Sequence, residues 1–311
     1  MENLLSIPNM EVIICTKRKN IKKIGNKCQV FNTLKDALKQ NPDFAIIANV
    51  SNLHIPTAIK IAKKGVDIFI EKPLSDSTKG IKELQEIVYK KKLITMMGCN
   101  LRFHKSIQKI KELVENNEIG RVISVHAENG SYLPDWHPNE NYLNSYAARE
   151  DLGGGVVLTC IHEIDYLYWF FGDVKETISV SGRFSDLRIK VDDLSSIIMK
   201  FKNKIISEIH LDYFQRPIAR NCKILGTHGT IYWDSNTNKI MMYNVKSKKW
   251  IEKYKVKKYD INSMYKDEIL HYIQCVKSRK KTINPLNEGV KTLKIALAVI
   301  KSSKTKKVEK L

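Results

Sequence analysis

The sequence predicts a chain in two parts, an α/β domain with a parallel sheet followed by an α+β domain whose sheet is mixed and mostly antiparallel. Strand-like and helix-like segments alternate through roughly the first hundred residues, an order that is typical of parallel sheets. After residue 121 the pattern changes to short β-rich runs separated by turn-forming residues. A length of 311 residues suffices for two domains. We therefore predict domains at residues 1–100 and 101–311.

The first predicted domain contains short strands and helices with recognisable ends. Residues 11–15 (EVIIC) form an apolar, β-branched run that indicates a strand. Thr33 is a suitable N-cap for a helix that continues to Lys39. Gly65 is suited to end a second helix, which is predicted at 55–64. The other predicted elements are strands at 44–48, 67–70 and 93–97, a helix at 55–64, and a helix with Ile81, Leu84 and Val88 on one face.

The second predicted domain is rich in β-strands. Turn-forming residues such as those at 202–204 and 234–236 separate neighbouring runs and favour hairpins. The predicted strands are 122–128, 178–183, 195–201, 205–213, 222–225, 230–233 and 239–243, and the predicted helices are about 103–116, 155–171, 261–278 and 287–302.

The chain is strongly basic, with 53 Lys and Arg residues against 33 Asp and Glu and a net charge of +20. Such a charge suits a nucleic-acid partner. The lysines are nevertheless spread over predicted helix faces and turns, and the sequence contains neither an arginine-rich segment nor an aromatic RNA-binding signature. We interpret the charge as a solvated surface and expect no nucleic-acid partner, with a basic nucleic-acid-binding protein as the alternative.

Composition excludes several other classes of protein. Hydrophobic residues at 43% and charged residues at 28% are ordinary for a folded domain and exclude disorder. Six cysteines without a CxxC pair indicate neither a disulfide framework nor a zinc site. The most apolar stretch, 156–171, contains His162, Glu163 and Asp165, so it predicts a buried helix and not a membrane span. No signal-peptide pattern is visible, and we expect a cytoplasmic protein without a membrane partner.

Polar residues follow three successive predicted strands. In an open parallel sheet, ligands bind beyond the carboxyl ends of the strands, where such residues meet. The residues in these positions are Asn49, Ser51, Asn52 and His54 after the strand at 44–48, Glu71 and Lys72 after the strand at 67–70, and Asn100 and Arg102 after the strand at 93–97. Their coincidence predicts one ligand-binding edge.

A glycine run at 153–155 precedes the predicted helix that carries His162 and Asp165. Glycines permit close approach of the backbone to a ligand or to another segment. His162 and Asp165 are three residues apart and share a helix face. A buried, hydrogen-bonded histidine is the alternative interpretation of His162. A zinc-protease motif is excluded because Tyr166 stands where HExxH needs its second histidine, and we predict no metal site.

With these motifs the chain resembles the glucose-fructose oxidoreductase, inositol dehydrogenase and rhizopine-catabolism family (Gfo/Idh/MocA) over nearly its whole length. The residues that carry the resemblance are 52–54 (NLH), 70–75 (IEKPLS), 98–103 (GCNLRF), 153–165 (GGGVVLTCIHEID) and 226–234 (GTHGTIYWD). Segments 130–138 and 145–149 resemble a branch associated with surface-sugar or sialic-acid-type metabolism. The resemblance implies a Rossmann domain that binds NAD or NADP. It also implies a sheet domain that completes the substrate site and forms homodimers or homotetramers.

The family's chemistry is hydride transfer between a nicotinamide and a carbinol carbon of a sugar, a polyol or a nucleotide-sugar-like substrate. The resemblance implies that Lys72 hydrogen-bonds both the cofactor and the substrate hydroxyl. His162 would shuttle the proton, because imidazole titrates near neutrality, and Asp165 would assist it. Pro73 would follow a cis peptide bond that fixes the direction of Lys72. The other predicted contacts are Thr16, Arg18, Asn49, Ser51, Asn52, His54, Glu71, Asn100 and Arg102 with the cofactor, and Trp136, His137, Arg149 and Thr159 with the substrate.

Two features depart from the family pattern. Thr159 stands where the family usually has an aspartate, and the chain has no glycine before Gly25, so the opening strand and GxGxxG turn are missing. Without that central strand, the strand at 11–15 would have no neighbour with which to bond. We expect a start within a longer reading frame, with a genuine adaptation as the alternative. A non-catalytic or regulatory homologue is the corresponding alternative function.

The residues after the strand at 11–15 bear on the choice of cofactor. An acidic residue at the end of this strand ordinarily binds the ribose hydroxyls of NAD. Here Thr16 takes that position and Lys17 and Arg18 follow, with no carboxylate among them. Arg18 could bind a 2′-phosphate through two hydrogen bonds. The sequence therefore favours NADP over NAD, and solvated basic residues are the alternative interpretation.

Overall fold

The computed structural model describes residues 2–17, 28–256 and 259–311. The first part of the chain alternates strands and helices, as predicted. Its elements are α1 (Glu2–Leu5), β1 (Val12–Cys15), β2 (Cys28–Phe31), α2 (Leu34–Leu38), β3 (Phe44–Ile47), α3 (His54–Lys63), β4 (Asp67–Glu71), α4 (Ile81–Lys91), β5 (Thr95–Gly98) and α5 (Lys105–Glu115).

The parallel strands form two separate sheets. One sheet contains β1 and β2, and the other has the order β3-β4-β5, with every pair parallel. The expectation that β1 has no strand with which to bond is wrong, because Val12 to Cys15 pair in register with Cys28 to Phe31. Among the described residues no strand joins β1 to β3. The parallel α/β fold class is confirmed.

The predicted helix ends of this domain are confirmed at two positions. The Thr33 side-chain oxygen accepts a hydrogen bond from the Asp36 backbone N–H at 3.1 Å, which caps α2. After α3, Gly65 adopts a φ of 81°, a left-handed conformation that is strained for residues with a Cβ.

The second part of the chain adds a large mixed sheet with helices. Its elements are β6 (Val122–Gly130), α6 (Val156–Thr159), α7 (His162–Phe171), β7 (Val174–Gly182), β8 (Leu194–Phe201), β9 (Ile206–Asp212), β10 (Ala219–Gly226), β11 (Gly229–Asp234), β12 (Lys239–Asn244), β13 (Lys249–Lys255), α8 (Ile261–Ser278), α9 (Leu286–Thr305) and β14 (Glu309–Lys310).

This sheet has nine strands in the order β13-β12-β11-β10-β6-β9-β8-β7-β14. The pairs are antiparallel except for β6 and β9, so the predicted mixed, mostly antiparallel sheet is confirmed. Strands β13 and β14 were not predicted, because their lysine-rich sequences lack an apolar alternation. One face of the sheet is buried beneath the helices, as Val125 and Ile197 illustrate, whereas Val180 and Ile198 on the other face are exposed.

The end of the chain returns to the parallel sheet. Thr282 donates a hydrogen bond from its hydroxyl to the Thr95 carbonyl at 2.7 Å, and the Asn284 carbonyl accepts one from the Met97 N–H at 2.8 Å. The Tyr272 ring of α8 meets the rings of Phe44 and Phe69 edge-on, at centroid distances of 5.3 and 5.5 Å. Helix α8 therefore packs against the β3-β4-β5 sheet, although it lies late in the sequence.

The predicted single helix at 155–171 is wrong in one respect, because it is broken into α6 and α7. Cys160 has a φ of −95° and a ψ of 33°, and α7 begins at His162. The break removes the Thr159 carbonyl from the helical hydrogen-bond ladder, so this oxygen can accept a bond from elsewhere. No helix among the described residues is both long enough and apolar enough to cross a membrane.

Candidate functional site

Strand β4 ends at Glu71, and Lys72 and Pro73 follow it directly. The Lys72–Pro73 peptide bond is cis, as predicted. His54 connects this turn to the loop after β3, since its Nδ1 lies 2.8 Å from the Pro73 carbonyl oxygen and its Nε2 lies 2.9 Å from the Asn49 carbonyl oxygen. The loops after β3 and β4 therefore meet, and His54 connects them because both of its ring nitrogens contact backbone carbonyls.

Lys72 reaches from the parallel sheet to the segment that carries His162. Its Nζ donates a hydrogen bond to the Thr159 carbonyl oxygen at 2.8 Å. That oxygen is accessible because the helix is broken after Thr159. The structure thus brings Lys72, Thr159 and His162 together from two separate parts of the chain.

The glycine run allows this approach of the two parts. A Cβ at Gly154 would lie 2.2 Å from the Tyr146 carbonyl oxygen, which no side chain could tolerate. A Cβ at Gly153 would lie 2.9 Å from the Ser51 Cβ, and the Asn52 side-chain amide donates to the Asp151 carbonyl at 2.6 Å. Ser51 and Asn52 therefore hold the loop after β3 against the segment at 151–153.

The two central ionisable groups are held in opposite protonation states. Burial disfavours the Lys72 ammonium, but the acidic groups of Tyr146, Cys160 and Glu71 outweigh it, so the pKa of Lys72 is raised. Burial, assisted by the positive charges of Lys72 and Arg220, holds the pKa of His162 well below its usual value. At neutral pH the site therefore presents an ammonium group beside a neutral imidazole. The first can donate to an oxygen atom, and the second can accept a proton.

Arg220 and Glu163 belong to this site, although the sequence reasoning did not select them. Arg220 Nε lies 2.9 Å from Glu163 Oε1, and the Glu163 side chain is fully buried. Arg220 could have been predicted to face the protein interior, because it lies two residues before the buried Cys222 and alternate residues of a strand share a face. It was missed because the strand was predicted to begin only at residue 222.

The structure pairs Arg102, a predicted cofactor residue, with Asp165, a predicted catalytic residue. Arg102 Nε and Nη2 bind the two carboxylate oxygens of Asp165 at 2.9 and 2.8 Å, and both side chains are 1% exposed. Asp165 also accepts a hydrogen bond from the Thr292 hydroxyl at 3.1 Å. Arg102 and Asp165 thus bind each other, and no hydrogen bond joins Asp165 to His162 within the described part of the chain.

The remaining predicted cofactor residues are more widely spread. Asn49 donates from its side chain to the Thr57 hydroxyl at 3.0 Å. Asn100 is buried, and its side-chain oxygen has no hydrogen-bond partner among the described residues. Burial raises the pKa of Glu71, whose carboxylate lies against Gly98. Thr16 follows β1, where its N–H donates to the Phe31 carbonyl at 2.9 Å.

The predicted substrate residues separate into two groups. Thr159 is in the site, and its buried hydroxyl oxygen has no partner among the described residues. Trp136 is half-buried, donates to the Ser131 hydroxyl at 2.8 Å and lies edge-on to Tyr213. His137 and Arg149 are exposed, and Arg149 forms a surface ion pair with Asp151. The structure does not bring these two side chains to Lys72.

The carboxyl ends of the parallel strands fit parts of a dinucleotide. Lys72 and the unpartnered amide oxygen of Asn100 are donor and acceptor groups suited to a nicotinamide and its ribose. Thr16 directly follows β1, where an adenosine ribose would lie. Arg18, the other residue predicted there, lies outside the described residues. The described part of the chain provides no glycine-rich turn for a pyrophosphate, and it holds no group of three or more His, Cys, Asp or Glu residues able to bind a metal ion.

Comparisons with known proteins agree with this architecture. Residues 9–99 match the family model for an oxidoreductase family with an NAD-binding Rossmann fold, and residues 107–232 match the model for the GFO/IDH/MocA C-terminal domain. The fold is similar to that of a levoglucosan dehydrogenase solved in complex with NADH, with a TM-score of 0.82 and 16% identity, covering 91% of this chain and 84% of that one.

Two curated relatives are similar in sequence. An uncharacterised oxidoreductase of Streptococcus pneumoniae is 29% identical over 62% of this chain and 52% of its own length, so the match spans about half of that relative. A myo-inositol 2-dehydrogenase of Thermotoga maritima is 24% identical over 87% of this chain and 80% of its own length. The two family models together match more than half of the chain, which therefore belongs to the Gfo/Idh/MocA family of oxidoreductases with an NAD-binding Rossmann fold.

Proposed function

We propose that the chain catalyses hydride transfer between a nicotinamide dinucleotide and a carbinol carbon of a sugar or polyol. The observation that carries the proposal is the Lys72 ammonium, bonded at 2.8 Å to the Thr159 carbonyl and placed beside the neutral His162. Similarity to proteins named myo-inositol 2-dehydrogenase and levoglucosan dehydrogenase supports a cyclic polyol or sugar as the substrate class.

Lys72 and His162 would have different roles at the substrate hydroxyl. The nicotinamide, when bound, supplies the hydride acceptor or donor. Lys72 would donate a hydrogen bond to the reacting oxygen, and the Thr159 carbonyl holds its ammonium group in place. His162 would accept the hydroxyl proton on oxidation, because its imidazole is neutral when the substrate arrives. After oxidation the low pKa of His162 favours release of this proton to solvent, and in the reducing direction the protonated imidazole would donate it to the carbonyl oxygen.

NADP is the cofactor that we propose in preference to NAD. Support comes from the sequence after β1, where Thr16, Lys17 and Arg18 replace the acidic residue that would repel a 2′-phosphate. Neither Thr16 nor Lys17 carries a negative charge, so a phosphate group would meet no electrostatic penalty from them.

A homodimer or homotetramer is the proposed assembly. Its support is the outer face of the nine-stranded sheet, where Ile178, Val180, Ile198 and Ile206 are 41%, 64%, 46% and 41% exposed. Exposed aliphatic side chains grouped on neighbouring strands are typical of surfaces that are covered by another chain. Size-exclusion chromatography with light scattering of the wild type and of a Val180→Lys, Ile198→Lys variant tests this proposal.

The proposed activity is tested by the absorbance of reduced nicotinamide with the chain, NAD⁺ or NADP⁺, and myo-inositol, levoglucosan, D-glucose or D-glucuronate. We expect reduction of the nucleotide with at least one compound and its loss in Lys72→Met. Lys64→Met, which alters an exposed lysine after α3, is the matched control.

A non-catalytic homologue is the second candidate function. Among the described residues no strand pairs with both β1 and β3, and this arrangement favours it, since the dinucleotide of a Rossmann domain binds beside the central strand of the sheet. Fluorescence titration of NADH and NADPH distinguishes the candidates. Saturable binding without turnover of any tested sugar or polyol would favour the non-catalytic homologue.

A further inference from the structure

Strand β10 directs Arg220 toward the candidate site. Side chains alternate between the two faces of a strand, and Cys222 and Ile224, two and four residues further on, are fully buried. Arg220 therefore points to the inner face of the sheet, toward α7. Its side chain is nevertheless 24% exposed, so part of the guanidinium remains accessible beside Glu163.

The hydrogen bonding of Arg220 is incomplete, as a comparison with Arg102 makes clear. Arg102 binds both oxygens of Asp165 and also donates from Nη1 to the Ile283 carbonyl at 3.3 Å. Arg220 forms an ion pair with Glu163, with Nε 2.9 Å from Oε1, but among the described residues Nε has no hydrogen-bond partner. Neither its Nη1 nor its Nη2 makes a hydrogen bond within the part of the chain that the structure describes. Two parallel N–H groups in a fixed plane thus remain available for a ligand.

The groups around Arg220 place this fork at the reacting centre. Arg220 contacts Glu163, which follows His162 directly in α7. Lys72 donates to the Thr159 carbonyl, three residues before His162. The positive charges of Lys72 and Arg220 both lower the pKa of His162. His162 Nδ1 and the Thr159 hydroxyl are buried polar atoms without partners among the described residues. Burial raises the pKa of Glu163, the carboxyl group nearest to Arg220, despite the opposing positive charge. The partly exposed cation therefore faces a set of polar groups suited to a ligand.

We propose that Arg220 binds an anionic substituent of the substrate, so that the chain acts on a sugar bearing a carboxylate or phosphate group. A guanidinium fork matches the oxygens of either group through two parallel hydrogen bonds. Lys72 and His162 would then act on a hydroxyl of the same sugar. The identification of this ligand as the substrate rests on the proposed oxidoreductase function.

Arg216, which follows β9, and Arg149, which precedes the glycine run, do not offer an equivalent fork. Arg216 lies over the Tyr132 ring, with its guanidinium carbon 3.9 Å from the ring centroid. Arg149 is paired with Asp151 at the surface. Arg220 is therefore the residue whose substitution tests the proposal.

The test is isothermal titration calorimetry of the wild-type chain and its variants with D-glucuronate, D-glucose 6-phosphate and D-glucose. We expect at least one of the two anions to bind more tightly than D-glucose, and the stronger of them identifies the charged group. Arg220→Gln should weaken that binding by roughly ten- to a hundredfold, the effect of losing hydrogen bonds to a charged group. Lys223→Gln removes one positive charge from the exposed face of the same strand and should leave binding unchanged.

Two further variants keep the test decisive if Arg220→Gln does not fold. Arg220→Lys retains the charge without the fork and should bind the anion with intermediate affinity. Glu163→Gln removes the competing carboxylate and should bind the anion at least as tightly as the wild type. Weaker binding by Glu163→Gln, or equal binding of D-glucose and both anions by the wild type, would overturn the proposal.

Measurements on the wild type and Arg220→Gln also distinguish failure of this proposal from failure of the proposed oxidoreductase function. Arg220-dependent binding of an anion without any nucleotide reduction would support this proposal and count against the oxidoreductase activity. Nucleotide reduction with neutral sugars that persists in Arg220→Gln would support the activity and overturn the role of Arg220.

Discussion

Arg102 and Asp165 form a buried, bidentate ion pair that joins the turn after β5 to α7. The two hydrogen bonds measure 2.9 and 2.8 Å, and both side chains are 1% exposed. His162 lies one turn before Asp165 on the same helix. The pair therefore fixes His162 relative to the parallel sheet that carries Lys72.

Removing one partner of this pair should destabilise the whole chain. Asp165→Asn leaves the Arg102 charge buried without its counterion, and we expect a loss of about 3–5 kcal/mol in unfolding free energy. Urea unfolding followed by circular dichroism measures it. Glu115→Gln, which breaks the exposed pair with Lys111, is the control and should cost less than about 0.5 kcal/mol. Equal unfolding midpoints for Asp165→Asn and the wild type would contradict this role.

Lys72→Met should abolish most turnover and leave the fold intact. Lys72 lies at a strand end, and among the described residues its Nζ donates a hydrogen bond to the Thr159 carbonyl. We expect kcat/KM to fall by about a hundredfold or more, in line with the loss of a group that acts on the reacting oxygen. Steady-state kinetics with thermal melting as the folding control measures both effects. An unchanged kcat/KM would exclude the assigned role.

His162→Asn should lower kcat more than it weakens cofactor binding. The imidazole lies beside Lys72 at the proposed substrate position, and loss of a general acid or base typically costs about 10²–10⁴-fold in rate. Steady-state kinetics gives kcat, and NADPH fluorescence titration gives the cofactor affinity. A collapse of cofactor affinity with turnover retained at saturation would show that His162 binds the dinucleotide.

NADPH should bind more tightly than NADH. In the sequence, Thr16 and Arg18 replace the acidic residue that would repel the 2′-phosphate, and an arginine can bind a phosphate through two hydrogen bonds. Arg18→Ala should narrow the difference between the two dissociation constants. Fluorescence titration of both nucleotides tests this, with Lys39→Ala on the surface of α2 as the control. Preference for NADH would overturn the prediction.

Stability should fall as pH decreases from about 6.5 to about 4 because of His104. Its Nδ1 accepts a hydrogen bond from the Ser106 N–H at 3.2 Å, which caps α5. Burial, with the positive charge of Arg220 second, lowers the pKa of His104 from 6.5 to about 4. The unfolded chain therefore takes up a proton in this range that the folded chain does not. Stability is full above the unfolded pKa and decreases as pH falls, by up to ~3 kcal/mol.

His104→Asn isolates this contribution. Asparagine can cap the helix in the same way but does not titrate, so the variant should lose less unfolding free energy between pH 6.5 and pH 4 than the wild type. Urea unfolding at several pH values gives the comparison, and His137→Asn, at an exposed position, is the control. Parallel pH profiles for His104→Asn and the wild type would show that another group is responsible.

Local sequence determined most of the elements and one half of the candidate site. Hydrophobic periodicity, the Thr33 cap and Gly65 act within a few residues, so the alternating strands and helices were predictable from the chain alone. The same holds for Lys72, because the carboxyl end of a parallel strand is where ligands bind. Strands β13 and β14 were missed because edge strands rich in lysine carry little apolar alternation.

Only the tertiary structure decided how the polar groups are partnered. Asp165 shares a helix face with His162, yet its carboxylate is bound by Arg102, which lies far away in the sequence. Arg220 meets Glu163 because strand β10 packs over α7, and the Thr159 carbonyl receives Lys72 because the helix is broken after it. A buried charge must find its counterion wherever the fold places one. Spacing along the chain cannot identify that partner, because the pairing depends on which distant segments the packed core brings into contact.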